Sequence, residues 1–306
     1  MQIKIFQHCP ACQAKDSKIA FEPTDETIKR FRELSRVKYG GIMDTWSDRL
    51  PLIIRECLHC RHLWYHTQPD QESIFAMYNA GRPLSNGKKE DRPSKRMLQE
   101  MHTLYHLISK RGVDRPSLLE YGSGRGLWAY AAAFVGFRVC AYEPSRERVT
   151  KDEKVLTFRI VHNLEEIEGE TFDAVNLEQV LEHTQNPVDT LISVKAYCKP
   201  DTILRITVPN VARYGYNDKL WVGFPFNGRT IHIMSPFEHL QGFNPKSLEI
   251  ILNRAGLVRD NSIRNLLTKP LYSLRYLTGR ILPSVGPTVA VVHFNNDQSK
   301  VSSVAT

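Results

Sequence analysis

The chain has 306 residues, of which 42% are hydrophobic and 24% are charged, and its formal net charge is +8 at pH 7. This length suits one large domain with appendages or two modest domains. No apolar run approaches the roughly 18 residues that span a bilayer, and the N-terminus lacks the pattern of a secretory signal. We therefore expect a soluble, cytoplasmic protein. Its positive charge indicates either a solvated basic surface, which we favour, or an anionic partner such as a nucleic acid.

Residues 1–68 contain two Cys-x-x-Cys pairs and little helical periodicity. Such pairs are typical of a tetrahedral zinc site, and four thiolates leave no open coordination position, so the zinc would be structural. The predicted ligands are Cys9, Cys12, Cys57 and Cys60. His62 is an alternative ligand, whereas a disulfide framework would require an oxidising compartment, of which the sequence gives no sign. We predict a small zinc-ribbon-like module with extra structure between its two cysteine pairs.

Residues 69–115 are expected to form a helical connector. After a turn-like stretch at 81–87, Ser94 is a suitable N-cap for a helix that ends near Gly112. Apolar side chains follow this cap at helical spacing, namely Met97, Met101, Leu104 and Ile108. The sequence thus predicts one amphipathic helix directly before the next region.

From residue 116 onward, short apolar strands alternate with helices. The first five strands are predicted near 117–121, 137–142, 156–161, 172–177 and 202–208. The helices are predicted at 125–135, 145–153, 187–199 and 246–255, and two later strands near 257–263 and 287–294. Such alternation is typical of a parallel sheet with helices on both faces. We predict a doubly wound, Rossmann-like α/β domain with a seven-stranded sheet over residues 116–296.

Two segments depart from this alternation. Residues 209–244 are rich in aromatic residues, glycine and proline. So long an aromatic insertion is typical of a lid or a binding wall. Residues 297–306 are small and polar, and we expect them to form a disordered tail.

A glycine turn follows the first predicted strand, in the run Glu120-Tyr-Gly-Ser-Gly-Arg-Gly126. A dinucleotide fingerprint would need a glycine where Leu127 stands, and no Gly-Lys-Ser/Thr of a phosphate loop is present. The Glu120 carboxylate would repel a pyrophosphate and attract a cationic amino group. The second strand ends at Glu143, where doubly wound folds bind ribose hydroxyls. These residues indicate a positively charged nucleoside without a pyrophosphate, and S-adenosylmethionine fits that description.

The chain resembles class I S-adenosylmethionine-dependent methyltransferases over roughly residues 94–295. Besides the glycine turn, the F-D-A-V-N-L-E-Q-V-L-E-H run of 172–183 and the T-V-P-N run of 207–210 carry the resemblance. The run from Glu238 to Leu257 is similar to the ubiquinone O-methyltransferase-like branch. The resemblance implies a seven-stranded methyltransferase sheet and an enzyme that transfers a methyl group from S-adenosylmethionine.

The resemblance also implies roles for individual residues. The implied cofactor-binding residues are Tyr78, Glu120, Gly122, Ser123, Gly124, Gly126, Glu143, Pro144, Asn163, Leu177 and Glu178. The turn would pass under the methionine part, Glu120 would lie near its amino group and Glu143 would bind the ribose. Asn163 would meet the adenine, Leu177 and Glu178 would lie beneath the sulfonium, and the connector would form a lid that brings Tyr78 over the cofactor.

Methyl transfer to oxygen or carbon also requires the removal of a proton from the acceptor. The candidate bases are His183, His232 and His239. In ubiquinone-type enzymes an E-x-x-E-H run at this point can hold a divalent cation. Because Gln179 replaces the first acid of that run, we expect no catalytic metal.

The sequence carries fewer signals for the class of methyl acceptor than for the cofactor. The zinc module beside a ubiquinone-like branch resembles bacterial saccharide-modifying methyltransferases, which implies a small molecule such as a sugar or glycan precursor, with 209–244 on the acceptor side. An RNA methyltransferase is the first alternative, although strand four ends in Asn-Leu-Glu-Gln and not in the N/D-P-P-Y/F run of amino-group methylators. A non-catalytic binding protein is the second alternative.

Overall fold

The computed structural model of the protein describes residues 1–81, 92–148, 158–226, 231–259 and 288–294. Within these ranges no helix is both long enough and apolar enough to cross a membrane.

Several sequence predictions fall wholly or partly outside the described residues. Of the predicted turn at 81–87, only Gly81 is among the described residues. The predicted tail at 297–306 lies completely outside them. Of the predicted helix at 145–153, the described residues 146–148 form a turn. The predicted strand at 257–263 is described only as far as Arg259.

The N-terminal part of the chain combines small antiparallel sheets with one long helix. Its elements are β1 (Ile3–Ile5), β2 (Ser17–Phe21), α1 (Asp25–Tyr39), β3 (Ile54–Cys57), β4 (Leu63–Tyr65) and β5 (Thr67–Pro69). β1 pairs with β5, and β3 pairs with both β2 and β4. Although the sequence of this region shows little helical periodicity, α1 is 15 residues long and lies between the two cysteine pairs, where extra structure is predicted.

Helix α1 has clear start and stop signals. Thr24 caps its first turn, because its hydroxyl accepts a hydrogen bond from Thr27 N while Thr24 N donates to Thr27 Oγ1. The helix ends at Gly40, whose φ of 63° lies in the left-handed region that glycine enters without a Cβ clash. Phe31 and Leu34 are fully buried on its inner face. The caps, more than a regular apolar repeat, mark this helix in the sequence.

The connector supplies two helices, α2 (Gln71–Ala80) and α3 (Lys95–Ser109). Ser94 caps α3 as predicted, with its hydroxyl accepting from Met97 N at 3.3 Å. The apolar residues buried on α3 include Met101, Leu104 and Ile108. The predicted amphipathic helix is therefore confirmed.

The rest of the chain forms a seven-stranded sheet, its covering helices and one short strand that pairs with β4. In chain order its elements are β6 (Ser117–Tyr121), α4 (Leu127–Phe134), β7 (Arg138–Tyr142), β8 (Arg159–Val161), β9 (Phe172–Glu178), α5 (Pro187–Val194), β10 (Cys198–Val208), β11 (Gln241–Gly242), α6 (Pro245–Arg254), β12 (Leu257–Arg259) and β13 (Thr288–Phe294). The strand order is β12-β13-β10-β9-β6-β7-β8, with β6 to β10 parallel and β13 antiparallel to its neighbours. The predicted α/β fold with a parallel central sheet is confirmed. The predicted helix at 187–199 is too long, since α5 ends at Val194 and β10 begins at Cys198.

Each face of the central sheet is covered by helices. Alternate strand residues such as Leu118, Ala174 and Ile203 pack with α3 and α4 on one face. Their neighbours Leu119 and Val175 pack with α5 and α6 on the other. A parallel sheet is stable when both faces are buried in this way.

A second core joins the N-terminal part to the 209–244 insertion. Buried side chains from both contribute to it, and they include Phe31, Leu34, Tyr65, Leu220, Phe224, Met234 and Phe237. β11 lies at the same junction, because Gln241 and Gly242 pair with Trp64 and Leu63 of β4. The four-stranded sheet β11-β4-β3-β2 is thus completed by a strand from far along the chain.

Candidate functional site

The predicted glycine turn joins β6 to α4 at the carboxyl edge of the parallel strands. Gly122, Gly124 and Gly126 have φ angles of 73°, 54° and 80°, a left-handed backbone that suits glycine. A Cβ on Gly122 would come within 2.9 Å of Val180 Cγ2. Both the conformation and the close approach therefore require glycine at the start of the turn.

Glu143, just beyond the end of β7, holds the glycine turn with its carboxylate. Its Oε2 accepts from Gly124 N at 2.7 Å and its Oε1 accepts from Ser145 N at 3.0 Å. The preceding carbonyl, Tyr142 O, accepts from Ser123 N at 2.9 Å. The carboxylate is held in place and keeps lone pairs for further donors. The structure thus brings the turn and the predicted ribose-binding acid together.

Glu120 is buried and hydrogen-bonded within the sheet. Both of its carboxylate oxygens accept from Asn176 Nδ2, at 2.9 and 2.7 Å. Burial raises the pKa of Glu120 to about 8, although Asn176 and the nearby Arg205 act in the opposite direction. The carboxyl group is therefore mostly protonated near neutral pH.

Two arginines neutralise Glu178, the last residue of β9. Glu178 accepts from Arg96 Nη2 at 2.9 Å and from Arg205 Nη1 at 2.7 Å. Arg205 also donates to Glu100, and its guanidinium lies 4.2 Å from the centroid of the Trp128 ring. This buried charge network fixes the end of the strand that the resemblance places beneath a sulfonium.

Helix α2 connects the loops that follow β7 and β9. Asn79 Oδ1 accepts from Ser145 Oγ at 2.6 Å in the first loop. In the second, the Tyr78 hydroxyl lies 2.6 Å from His183 Nδ1, and it also donates to Glu238 O at 2.9 Å. The connector helix is therefore tied by hydrogen bonds to both loops.

His183 and His239 lie together, with ring centroids 4.8 Å apart. His183 Nδ1 bonds to Glu238 O, and His239 Nδ1 bonds to Ile233 O at 2.8 Å, so Nδ1 carries the proton in both rings. Each Nε2 is then an unprotonated acceptor. Burial lowers the pKa of His183 to about 3 and also lowers the pKa of His239. Both rings are therefore neutral at physiological pH.

Glu182 lies beside this pair. It is 1% exposed, and neither of its carboxylate oxygens has a hydrogen-bond partner. Burial raises its pKa well above the usual range, and its Oε1 is 4.0 Å from His183 Nε2. Glu182, His183 and His239 each offer one atom within 4.8 Å of the others, an arrangement that could hold a shared proton or a metal cation. In the E-x-x-E-H run of related enzymes the first acid is a third possible ligand, and here Gln179 stands at that position. In the structure His239 supplies the third group instead.

The four cysteines of the N-terminal part also converge. The Sγ atoms of Cys9 and Cys60 are 3.6 Å apart, those of Cys12 and Cys57 are 3.5 Å apart, and all four are free thiols. A zinc tetrahedron with Zn–S bonds of about 2.3 Å has sulfurs about 3.8 Å apart. The Cys9–Cys60 hydrogen bond lowers the pKa of Cys60 to about 6 and raises the pKa of Cys9, so Cys9 holds its proton while Cys60 is a thiolate. The geometry fits the predicted ligand set.

A family model described as a methyltransferase domain matches residues 94–260, which is more than half of the chain. The chain belongs to this family. The protein is a methyltransferase, and the match favours an enzyme over the non-catalytic alternative. No curated protein matches the sequence.

Solved structures of several methyltransferases are similar in fold. The plantazolicin methyltransferase BpumL with bound SAH has 14% identity and a TM-score of 0.47, over 88% of this chain and 99% of that one. The Burkholderia thailandensis 1,6-didemethyltoxoflavin-N1-methyltransferase has 17% identity and a TM-score of 0.42, over 65% of this chain and 79% of that one. The mitomycin 7-O-methyltransferase MmcR has 14% identity and a TM-score of 0.43, over 74% of this chain and 59% of that one.

The remaining predicted cofactor residues of the methyltransferase differ in exposure. Leu177 is fully buried in the core, with its side chain on the α5 and α6 face of the sheet. Pro144 and Asn163 are exposed, and Asn163 N donates to Glu166 Oε1 at 2.9 Å. Their contacts with a cofactor stay predictions.

His232 differs from the other two candidate bases. Its Nε2 donates to Leu220 O at 2.5 Å, and its Nδ1 accepts from Met234 N at 3.0 Å. The ring also stacks on Trp221, with centroids 6.1 Å apart. Because the backbone occupies both nitrogens, this arrangement leaves His232 no free nitrogen for an acceptor and gives it a structural role in the insertion.

Several residues of the site are absent from the sequence predictions. Asn176 and Arg205 belong to the buried network, and Glu182 belongs to the histidine cluster. A polar residue within an apolar strand is the signal that could have found the first two, because burial requires a partner for each. His62, the alternative zinc ligand, bonds to Gln241 Oε1 at 2.7 Å, a contact that no local pattern indicates.

Proposed function

We propose that this methyltransferase takes its methyl group from S-adenosylmethionine and transfers it to a small-molecule acceptor, with a sugar or glycan precursor as the leading class. The bond from Gly124 N to Glu143 Oε2, at 2.7 Å, carries the proposal. It joins a glycine turn that lacks a phosphate-loop lysine to an acid that suits a ribose diol. The family match supports the reaction class. The sugar class rests on the sequence resemblance.

The chain offers a group for each part of this cofactor, which when bound supplies an electrophilic methyl group on a positively charged sulfur. The glycine turn allows the backbone to approach the methionine part, because glycine has no Cβ. Glu143 accepts from the ribose hydroxyls with the lone pairs that Gly124 and Ser145 leave free. Tyr78 and α2 cover this edge of the sheet and restrict the access of water.

His183 and His239 are the proposed bases. Their Nε2 atoms are unprotonated, because Nδ1 of each ring donates to a backbone carbonyl. An acceptor hydroxyl that donates to either Nε2 would be oriented and would pass its proton to the ring. Glu182 lies beside the ring that would receive this proton, with its Oε1 4.0 Å from His183 Nε2.

We propose that the tetracysteine site, made of Cys9, Cys12, Cys57 and Cys60, binds one structural zinc ion. The convergence of four free thiols supports this proposal. Four thiolates complete a tetrahedron and leave no position for a substrate. The ion would therefore stabilise the N-terminal part and take no part in methyl transfer.

Calorimetry with S-adenosylmethionine tests the cofactor proposal. We expect micromolar binding to the wild-type protein and a loss of about 100-fold in affinity for Glu143→Ala, since charge-assisted hydrogen bonds contribute about 1.5–3 kcal/mol each. Glu147→Ala is the matched control, because that acid is exposed and lies four residues further along the chain. No binding to the wild type, or equal binding to both variants, would refute the proposal.

Transfer of radiolabelled methyl groups tests the acceptor class. The protein is incubated with labelled S-adenosylmethionine and, separately, with a small-molecule extract and with total RNA from one culture. We expect label in the small-molecule fraction, absent with Glu143→Ala, and resistant to nuclease. Label that appears only in RNA would contradict the proposed acceptor class.

A further inference from the structure

We infer that Gln241 is a positioning residue that couples the tetracysteine site to the His183–His239 pair. The inference rests on the proposed function, which gives that pair its role in methyl transfer. We call the turns at Cys9–Cys12 and Cys57–Cys60 the first and second cysteine turns. The coupling runs from the second cysteine turn, through the buried His62 ring and the Gln241 amide, to the backbone beside both candidate bases.

His62 is the first link of this chain of contacts. Its carbonyl accepts from Cys57 N at 2.9 Å, so it belongs to the second cysteine turn. Its ring is fully buried and lies edge-on to Phe243, with centroids 5.0 Å apart. Its Nε2 bonds to Gln241 Oε1 at 2.7 Å, and the amide oxygen can only accept, so the ring donates. Closure of the cysteine turn therefore fixes the donor that faces Gln241.

The other end of the Gln241 side chain holds the loop that carries His183. Gln241 Nε2 donates to Thr184 O at 3.3 Å and to Gln185 O at 3.1 Å. Thr184 directly follows His183, and Gln241 is 1% exposed. Because water has little access to this amide, a lost partner at either end would leave a buried polar group unpaired. The two ends are therefore held together.

A backbone route runs parallel to this side-chain route. Leu240, the residue between His239 and Gln241, donates from its N to Glu182 O at 2.7 Å. Its carbonyl accepts from Tyr65 N of β4 at 3.3 Å. Leu240 thus joins β4, the strand that follows the second cysteine pair, to the backbone next to both candidate bases. A displacement of β4 would move both histidine loops together.

The region before α6, and α6 itself, hold the cysteine turns from the opposite side. Asn244 Nδ2 donates to Cys60 O at 2.9 Å, and Arg254 Nη1 donates to Ala11 O at 2.7 Å. The accepting carbonyls belong to the two different cysteine turns. If these turns opened, Asn244 would lose its partner and the segment from β11 into α6 would lose its anchor. Zinc occupancy would therefore set the position of Gln241 as well as the fold of the N-terminal part.

Histidine NMR and hydrogen exchange of Gln241→Met test this coupling without an acceptor. The control is Thr103→Val, because Thr103 is also buried and its hydroxyl donates to Gln99 O within α3, which takes no part in either route. With zinc bound, we expect the ¹⁵N signals of His183 and His239 to show the Nδ1–H tautomer in wild type and control, and mixed tautomers in Gln241→Met. Exchange of the Leu240 amide should be about tenfold faster in Gln241→Met than in the control.

Removal of zinc from the wild type with a chelator should reproduce the Gln241→Met signals, and added Zn²⁺ should restore them. Wild-type tautomers and exchange rates in either Gln241→Met or the zinc-free protein would overturn the inference. If Gln241→Met does not fold, His62→Phe interrupts the same link at its other end and is read by the same criteria. Failure of the zinc-loaded wild type to bind S-adenosylmethionine would count against the proposed function and leave this measurement intact.

Discussion

Replacing Arg205 with methionine should destabilise the protein far more than removing a surface arginine. Arg205 is 1% exposed and bonds to Glu100, to Glu178 at 2.7 Å and to Asn176 Oδ1 at 2.7 Å. Without its guanidinium, Glu100 and Glu178 would both lose a charged partner, and Glu178 would keep its bonds from Arg96 and from Thr207 Oγ1. Removing one partner of a buried ion pair costs about 3–5 kcal/mol, and we expect a loss in this range near neutral pH.

The loss caused by Arg205→Met should shrink in acid. Burial alone would raise the pKa of Glu100, but Arg205 and Arg96 outweigh it and hold that pKa below its usual value. A carboxyl group with a depressed pKa stabilises the folded state above its unfolded pKa, and this stabilisation is lost as pH falls through the folded pKa. In Arg205→Met the pKa of Glu100 should rise, so the group becomes neutral on mild acidification. The difference from wild type should therefore narrow between neutral pH and about pH 4.5.

Urea denaturation at these two pH values measures the difference. The matched control is Arg159→Met, which removes a surface ion pair with Glu170 whose side chains are 49% and 44% exposed. Exposed pairs contribute about 0–1 kcal/mol, so the control should be nearly neutral at both pH values. If Arg205→Met were within about 1 kcal/mol of the control at neutral pH, the argument from buried charge would be refuted.

Three further predictions concern the tetracysteine site and the packing around it. Cys57→Ser should reduce bound zinc from about one ion per chain to almost none, measured by atomic emission, and wild-type zinc content would contradict the ligand assignment. Arg254→Met keeps all four thiols but loses its bonds to the first cysteine turn, so a chelator should remove zinc about tenfold faster. Gly242→Ala would place a Cβ 2.7 Å from a methionine sulfur and should cost about 1–3 kcal/mol in urea denaturation. Gly169→Ala, with nothing within 4 Å of the added carbon, should cost only the backbone strain of about 1–2 kcal/mol at its positive φ.

The glycine turn and its position beside Glu143 could be predicted from sequence because their signals are local. The glycine turn lies between a short apolar strand and an apolar helix, and the acid at 143 ends the next strand, so strand–helix alternation alone places them at one edge of the sheet. Ser94 could be recognised as a cap from the apolar spacing that follows it. These features depend on neighbours within a few tens of residues.

The histidine cluster could not be predicted in the same way, because its parts meet only through tertiary structure. His183 lies in the loop after β9, whereas His239 reaches it through the pairing of β11 with a strand of the N-terminal part. Nothing local distinguishes His239 from His232, whose nitrogens both bond to the backbone. Helix α1 was missed for a related reason, since its stability comes from a core shared with the distant 209–244 insertion.

Glu120 should link the binding of the positively charged cofactor to the release of a proton. In the free protein burial raises its pKa to about 8, so near neutral pH the carboxyl group is mostly protonated. If the amino group of S-adenosylmethionine lies beside it, as the sequence resemblance implies, that cation should lower the pKa of Glu120 and release a proton on binding. Affinity should then rise with pH below about pH 8 and level off above it, where Glu120 is already ionised.

Calorimetry in buffers of different ionisation enthalpy measures this proton release directly. Near pH 7 the wild type should release close to one proton per S-adenosylmethionine bound, and Glu120→Gln should release none, because an amide has no proton to lose in this range. The same variant should lose the rise of affinity with pH. Equal proton release by wild type and Glu120→Gln would mean that another group meets the cofactor's positive charge, and Glu120 would then be a structural acid held by Asn176.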